Sequence, residues 1–138
     1  MKLVIDANVG LSALLPEQDT AKAVQLFGEC RKGTHELLSP GLYMLEVGNI
    51  LVQSARRGKI PMNGLPMLYA ELIRNMPIVY PSASLFPEAF QIASRIRVSV
   101  YDAVYLALSK RESCLLVTSD EKLIKAATGF QLVSLTAI

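Results

Sequence analysis

The chain has 138 residues, of which 51% are apolar, and its 14 basic and 12 acidic side chains give a net charge of +2. This length suits a single domain, residues 1–138, with a core of two or three layers, and the apolar fraction excludes an intrinsically disordered chain. A charge so close to neutral permits a nucleic-acid partner without requiring one.

The few cysteine and histidine residues limit the classes of site. Cys30 and Cys114 have no CxxC spacing and lie in apolar or helical stretches, as free thiols of a reducing compartment do. Together with His35 they make a poor ligand set for zinc. Asp6 and Asn8 interrupt the N-terminal apolar run, and no stretch has the length of a membrane span. We therefore expect a cytoplasmic protein without membrane association.

Short apolar runs alternate with longer segments of helical period, which is typical of α/β folds with a parallel sheet covered on both faces. In chain order we predict a strand at 2–6, a helix at 20–32, a strand at 36–39, helices at 41–57 and 63–75, a strand at 77–80, helices at 84–97 and 101–111, a strand at 114–118, a helix at 121–127 and a strand at 131–135. Asp19 is predicted to cap the first helix, and Gly58 to end the second. Pro87, like most of the prolines, is predicted to lie near an element boundary.

Two aspartates follow predicted strands. Asp6 ends the first strand, and Asp120 comes directly after the fourth, behind Thr118 and Ser119. In an open parallel sheet, ligands bind at the carboxyl ends of the strands. These two carboxylates therefore point into one crevice if their strands lie close together in the sheet.

Two further acids lie on predicted helices. Glu46 is part of "YMLEVGNILV", a helix so apolar that we expect it to be buried, and a buried Glu46 must be paired, protonated or bound to a metal. Asp102 occupies the first turn of "YDAVYLALSK". The N-terminal turn of a helix favours an anion and faces the ligand end of the sheet in a βα unit.

Each of these acids also has a purely structural interpretation. Asp102 can complete a capping box with Ser99, and Asp120 can cap the last helix. Asp6 can cap the turn after its strand, and Glu46 can pair with a buried arginine. Each structural interpretation is about as plausible as the functional one by itself, but all four holding together is the less plausible outcome.

A convergence of the four acids would require a cation. Two carboxylates about 4 Å apart repel each other by roughly 4 kcal/mol at an effective dielectric constant near 20. Ligands that are all oxygen select a hard ion, so Mg²⁺ or Mn²⁺ is expected over zinc. Mg²⁺ is commonly held by one or two carboxylates and a substrate phosphate, which indicates a phosphate or phosphodiester substrate.

Four segments, in this order and at these separations, resemble those of a known family. "VIDAN", "LEVGNIL", "VYDAVYLALS" and "LVTSDEKL" together resemble the PIN-domain ribonucleases, and most closely the small VapC-type toxins of toxin–antitoxin pairs. The resemblance covers nearly the whole chain. One departure is Lys122, which stands close behind Asp120 where many relatives carry a further acid.

The resemblance implies a three-layer α/β/α fold with a central, mostly parallel five-stranded sheet. It places the family's catalytic and metal-binding quartet on Asp6, Glu46, Asp102 and Asp120. Thr118 takes the place of the hydroxyl residue two positions before the last acid. Asn8 takes the place of the small polar residue after the first acid. The family further implies a Mg²⁺- or Mn²⁺-dependent endoribonuclease that leaves a 5′-phosphate and a 3′-hydroxyl, a cognate antitoxin and a homodimer.

The sequence says less about the surfaces that would bind a substrate or a partner than about the acids. The basic clusters, among them Arg95 with Arg97, are predicted mainly as solvated helix ends, because no aromatic residues are interleaved with them for base stacking. The apolar region 41–75 offers a groove for an amphipathic antitoxin segment. Its candidate residues are Met44, Leu51, Met62, Met67 and Leu68. The alternative function is a non-catalytic PIN-like interaction domain that binds a protein partner.

Overall fold

The computed structural model describes residues 1–138 and has a five-stranded sheet with seven α-helices around it. The strands are β1 (Lys2–Ile5), β2 (Glu36–Pro40), β3 (Ile78–Tyr80), β4 (Leu115–Thr118) and β5 (Leu132–Ser134). The helices are α1 (Ala7–Leu14), α2 (Thr20–Arg31), α3 (Leu42–Arg56), α4 (Leu65–Arg74), α5 (Ser82–Arg95), α6 (Val100–Arg111) and α7 (Glu121–Ala126). Short 3₁₀ turns occupy Met62–Gly64 and Leu135–Ala137.

All neighbouring strands are parallel, in the order β3-β2-β1-β4-β5. The chain builds outward from β1 through β2 to β3 on one side, and from β4 to β5 on the other. The strand order therefore reverses between β1 and β4, where Ile5 lies in register with Val117. Ligands of open α/β sheets bind at the carboxyl ends of the strands beside such a switch point.

Helices cover both faces of the sheet. Leu3, Val4 and Ile5 of β1 are each 0% exposed although successive side chains of a strand point to opposite faces. Helix α6 packs on β1, β2 and β4 with α5 against it, while α1 and α3 contact β4 and β2 from a second helical group that includes α2 and α4. The predicted three-layer α/β fold is confirmed, with a sheet that is entirely, rather than mostly, parallel. No helix combines the length and hydropathy that crossing a bilayer requires.

Helix α1 is absent from the sequence-based prediction. It begins directly after β1 and is capped by Asp6, whose carboxylate accepts a hydrogen bond from the backbone N–H of Val9. Its sequence, "ANVGLSAL", contains several weak helix formers, so local preference alone does not indicate it. Tertiary packing supplies the stability, since most of its residues are buried against α2, α3 and α4.

Three further predictions are corrected. Pro87 lies inside α5, not near its start, because that helix begins at Ser82. The side chain of Asp19 makes no capping hydrogen bond with α2. Helix α3 is not buried all round: it buries one stripe, Tyr43, Val47, Leu51 and Ala55, while Leu45 is 69% exposed. The predicted stop at Gly58 is confirmed, because this residue follows α3 with a φ of 76°.

Candidate active site

Asp6 lies between the end of β1 and the start of α1 and is 8% exposed. Its Oδ1 accepts from the backbone N–H of Val9 at 3.1 Å, and its Oδ2 accepts a hydrogen bond from the hydroxyl of Thr118. Burial raises the pKa of this carboxyl from 3.8 to about 6, although both hydrogen bonds oppose the shift. Asp6 is therefore both the cap of a helix and a carboxylate held at an unusually high pKa.

Thr118 links the ends of the two central strands. It is the last residue of β4, is 0% exposed, and donates its hydroxyl proton to Asp6. The same oxygen accepts the backbone N–H of Asp120 at 3.0 Å. One hydroxyl therefore fixes the carboxylate that follows β1 and the turn that carries the carboxylate after β4.

Asp120 caps α7. Its Oδ1 accepts from the backbone N–H groups of Lys122 at 2.9 Å and Leu123 at 3.1 Å. The capping interpretation of this residue is thus correct, and it does not exclude a functional one, because both bonds use the same carboxylate oxygen and the residue remains partly exposed.

Asp102 lies in the first turn of α6, and its backbone N–H donates to the Oγ of Ser99 at 3.0 Å. The predicted helix cap by Ser99 is therefore present. Burial raises the pKa of the Asp102 carboxyl, the negative charge of Asp120 raises it further, and Ser99 opposes both.

Glu46 is half-buried on α3 and pairs with a tyrosine instead of an arginine. The hydroxyl of Tyr105, on α6, donates to Oε1 of Glu46 at 2.6 Å. Burial raises the pKa of the Glu46 carboxyl, as does the charge of Asp102, while the hydrogen bond from Tyr105 lowers it. The alternative in which a buried arginine neutralises Glu46 is wrong, because none of the ion pairs includes this residue.

The four acids affect one another electrostatically. Asp102 and Asp120 both raise the pKa of Asp6, and Asp102 also raises that of Glu46. No lysine or arginine forms an ion pair with any of the four. No three histidine, cysteine, aspartate or glutamate side chains lie close enough together to hold one metal ion. The arrangement is a patch of negative charge without a countercharge, and its carboxylates are not gathered around a single point.

Asn8 lies outside this hydrogen-bonded group. Its exposed side chain lines a neighbouring cleft of about 620 Å³, together with Ser119. The buried hydroxyl of Ser119 has no hydrogen-bond partner.

Tyr105 is the neighbour of the acids that the sequence analysis missed. Its position three residues after Asp102 on the same helix face is the signal that could have found it.

Comparison with known proteins decides the family. A model of the PIN domain family matches residues 3–129. The chain belongs to the PIN-domain family. A sequence relative of this PIN domain is the ribonuclease VapC3 of Pyrobaculum aerophilum, which is 31% identical over 125 residues, covering 89% of this chain and 92% of the relative.

Solved structures share the fold at lower sequence identity. VapC20 of Mycobacterium tuberculosis, described as a toxin that cleaves the sarcin–ricin loop, superposes with a TM-score of 0.69 at 15% identity, covering 93% of this chain and 95% of that one. A chain of a toxin–antitoxin complex from Klebsiella pneumoniae gives a TM-score of 0.63 at 12% identity, covering 96% and 97%. At these identities the superpositions support the PIN fold alone.

Proposed function

We propose that this PIN domain, acting as one unit over residues 1–138, is a Mg²⁺- or Mn²⁺-dependent endoribonuclease and the toxin of a type II toxin–antitoxin pair. The observation that carries the proposal is the position of Asp6, Asp102 and Asp120 beside the switch point, where two of them raise the pKa of the third and none has a basic partner. The VapC ribonuclease among its relatives supports the same activity.

The donor set fits a hard divalent ion. All four candidate ligands are carboxylates, and their negative charge lacks a lysine or arginine partner, so a cation is the missing countercharge. Asp6, Asp102 and Asp120 would hold one or two ions, directly or through waters, since no three of these side chains lie close enough to ligate a single ion together. Glu46 would be a further ligand or would orient the attacking water. When bound, such an ion lowers the pKa of water and stabilises the charge that develops on a phosphate.

The protein's own groups have separate tasks in this proposal. Thr118 holds the Asp6 carboxylate in one orientation. Tyr105 engages Oε1 of Glu46 and leaves Oε2 to accept a proton from the attacking water, a role that a raised carboxyl pKa favours. Asn8, in the first turn of α1, would contact the substrate beside the acids. Attack of water on the phosphorus forms a new P–O bond and breaks the P–O3′ bond, and the leaving 3′ oxygen takes up a proton, so the products end in a 5′-phosphate and a 3′-hydroxyl.

The test is cleavage of a fluorescence-quenched RNA by the wild type, Asp6→Asn and Asp102→Asn in EDTA, Mg²⁺ and Mn²⁺. We expect cleavage by the wild type only with metal, and a loss of at least about 10²-fold in each variant, since each removes a group that stabilises transition-state charge. Asp19→Asn is the matched control. The side chain of Asp19 makes no capping hydrogen bond, and Asp19 is not one of the four acids. Full activity in either site variant would refute the assignment.

An antitoxin is the proposed protein partner. Met44, Met62 and Met67 of the predicted groove are 40%, 58% and 74% exposed, whereas Leu51 is largely buried and contributes to the lining of an apolar cleft. An apolar cleft of about 270 Å³ lies between α3 and α4 and is lined in part by Leu65. We propose that an amphipathic antitoxin segment docks here.

A homodimer and a cytoplasmic location complete the proposal. Both cysteines are free thiols, as a reducing compartment would keep them. The dimer is tested by light scattering on the purified protein, for which we expect twice the 15.1 kDa mass of one chain.

A further inference from the structure

A second cleft, of about 510 Å³, opens beside the acids on the side of α5 and α7. Asp102 and Asp120 form one part of its lining, and three cationic side chains form another: Arg95, Arg97 and Lys122. We call it the basic cleft. It combines two candidate acids of the site with several cations.

The three cations of the basic cleft have no partners within the protein. Each is exposed, none takes part in an ion pair, and none donates a side-chain hydrogen bond. Other basic residues do find such partners: Lys110 pairs with Glu88, and Arg111 donates to Ser84. The basic cleft therefore presents three free cations next to two carboxylates.

Helix-end electrostatics explains only one of these cations. Arg95 is the last residue of α5, where a positive charge suits the helix dipole. Arg97 lies between α5 and α6 and belongs to no helix. Lys122 lies in the first turn of α7, where the dipole disfavours a cation. The interpretation of the 95–97 pair as a solvated helix end is thus insufficient.

The opposite side of the acids has the reverse charge. The cleft lined by Asn8 and Ser119 contains Glu17 and Asp19 against one cation, Lys59. A polyanion that approaches the four carboxylates is repelled by them, and the cations of the basic cleft offset that repulsion. The difference in charge between the two clefts favours the basic cleft as the path by which a nucleic-acid strand leaves the acids.

We propose that Arg95, Arg97 and Lys122 form a phosphate-binding subsite that holds the backbone of a single-stranded RNA segment where it leaves the acidic site. This inference rests on the proposed ribonuclease function and names residues that bind the substrate at that same site. The contacts are to backbone phosphates, so they position any RNA sequence and select none.

The test compares the double variant Arg97→Gln/Lys122→Gln with the control Arg56→Gln/Lys125→Gln. Both lose two positive charges, and Lys125 lies on the same helix as Lys122 but outside the basic cleft. Binding of a fluorescein-labelled single-stranded RNA is measured by anisotropy in EDTA over a range of salt concentrations. We expect the cleft variant to bind about tenfold more weakly. The slope of log K against log salt should fall by about 0.7 for each lost contact. The control should match the wild type.

A cleavage assay with metal separates this inference from the proposed function. We expect the cleft variant to raise KM with kcat nearly unchanged, because uniform binding is lost. If it binds and cleaves like the wild type while the wild type needs metal, the subsite is wrong and the nuclease stands. If the wild type binds RNA through the basic cleft but never cleaves it, the subsite stands and the nuclease is wrong. A wild type that neither binds nor cleaves RNA overturns both.

Discussion

At the scale of single residues, Asp6 combines two demands that usually conflict. A helix cap benefits from a charged carboxylate, whereas a side chain 8% exposed is costly to ionise. The protein keeps this residue with a pKa of about 6 instead of neutralising it with a basic partner. Such a carboxyl is ready to exchange its proton for a cation near neutral pH.

The raised pKa makes stability depend on pH. Between the ordinary pKa of 3.8 and about 6, the native state binds more protons at Asp6 than the unfolded state does. The contribution of Asp6 to the free energy of unfolding should therefore fall by about 3 kcal/mol as the pH rises through this window, and stay flat above it. Denaturant unfolding in EDTA across this range measures it. Asp6→Asn should remove most of the slope, whereas Asp19→Asn should retain it; equal slopes in all three proteins would contradict the prediction.

Thr118 permits a second prediction about single atoms. Thr118→Val keeps the shape of the side chain but leaves the backbone N–H of Asp120 without its acceptor and Oδ2 of Asp6 without its donor. We expect a loss of about 1–3 kcal/mol in the free energy of unfolding. Thr118→Ser retains the hydroxyl and serves as the matched control. If Thr118→Val unfolded like the wild type while Thr118→Ser were destabilised, the methyl group and not the hydrogen bonds would be what matters.

At the scale of elements, the strands were predictable and some helices were not. Apolar runs located all five strands to within two residues, because strands buried on both faces leave an unbroken signal in the sequence. Helix α1 left no such signal, since Asn8, Val9 and Gly10 have low helix propensity. The apolar surface of α3 indicated burial, yet Met44 and Leu45 are exposed, because a sequence does not distinguish a core face from a partner's docking face.

The candidate site was likewise predictable only in part. The strand ends identified Asp6 and Asp120, since parallel strands gather their carboxyl ends at one edge. The spacing on α6 indicates that Tyr105 lies near Asp102, but its hydrogen bond with Glu46 was not predictable, because the two residues lie 59 positions apart in the chain. The order of the strands likewise depends on contacts between distant segments that periodicity does not encode.

The contact between α1 and α3 gives a prediction at this scale. A Cβ at Gly10 would clash with the ring and hydroxyl of Tyr43. Gly10→Ala should cost about 1–3 kcal/mol of unfolding free energy through overpacking. Gly48→Ala is the control, because nothing lies within 4 Å of the added Cβ, and it should stabilise α3 by up to about 1 kcal/mol. Thermal and denaturant melts measure both, and a harmless Gly10→Ala would show that the two helices separate easily.

At the scale of the whole molecule, metal binding separates the nuclease from the interaction-domain alternative. An ion that binds only the native state stabilises it, by about 2.7 kcal/mol at a concentration 100 times Kd. We expect Mg²⁺ or Mn²⁺ to raise the melting temperature of the wild type and not that of Asp6→Asn. The melting temperature in calcium-free buffer with EDTA is the reference value for this shift. No shift in the wild type would favour a domain that acts only by binding a protein.

The pairing of β1 with β4 has a consequence for how the protein is made. The hydrogen bond between Thr118 and Asp6 joins residues 112 positions apart, so the site depends on two segments from distant parts of the chain. A growing polypeptide that has reached only α6 already contains Asp6, Glu46 and Asp102 but has no β4 to hold the first of them. Under the proposed function, a ribosome can therefore complete most of this chain before the chain is able to attack RNA.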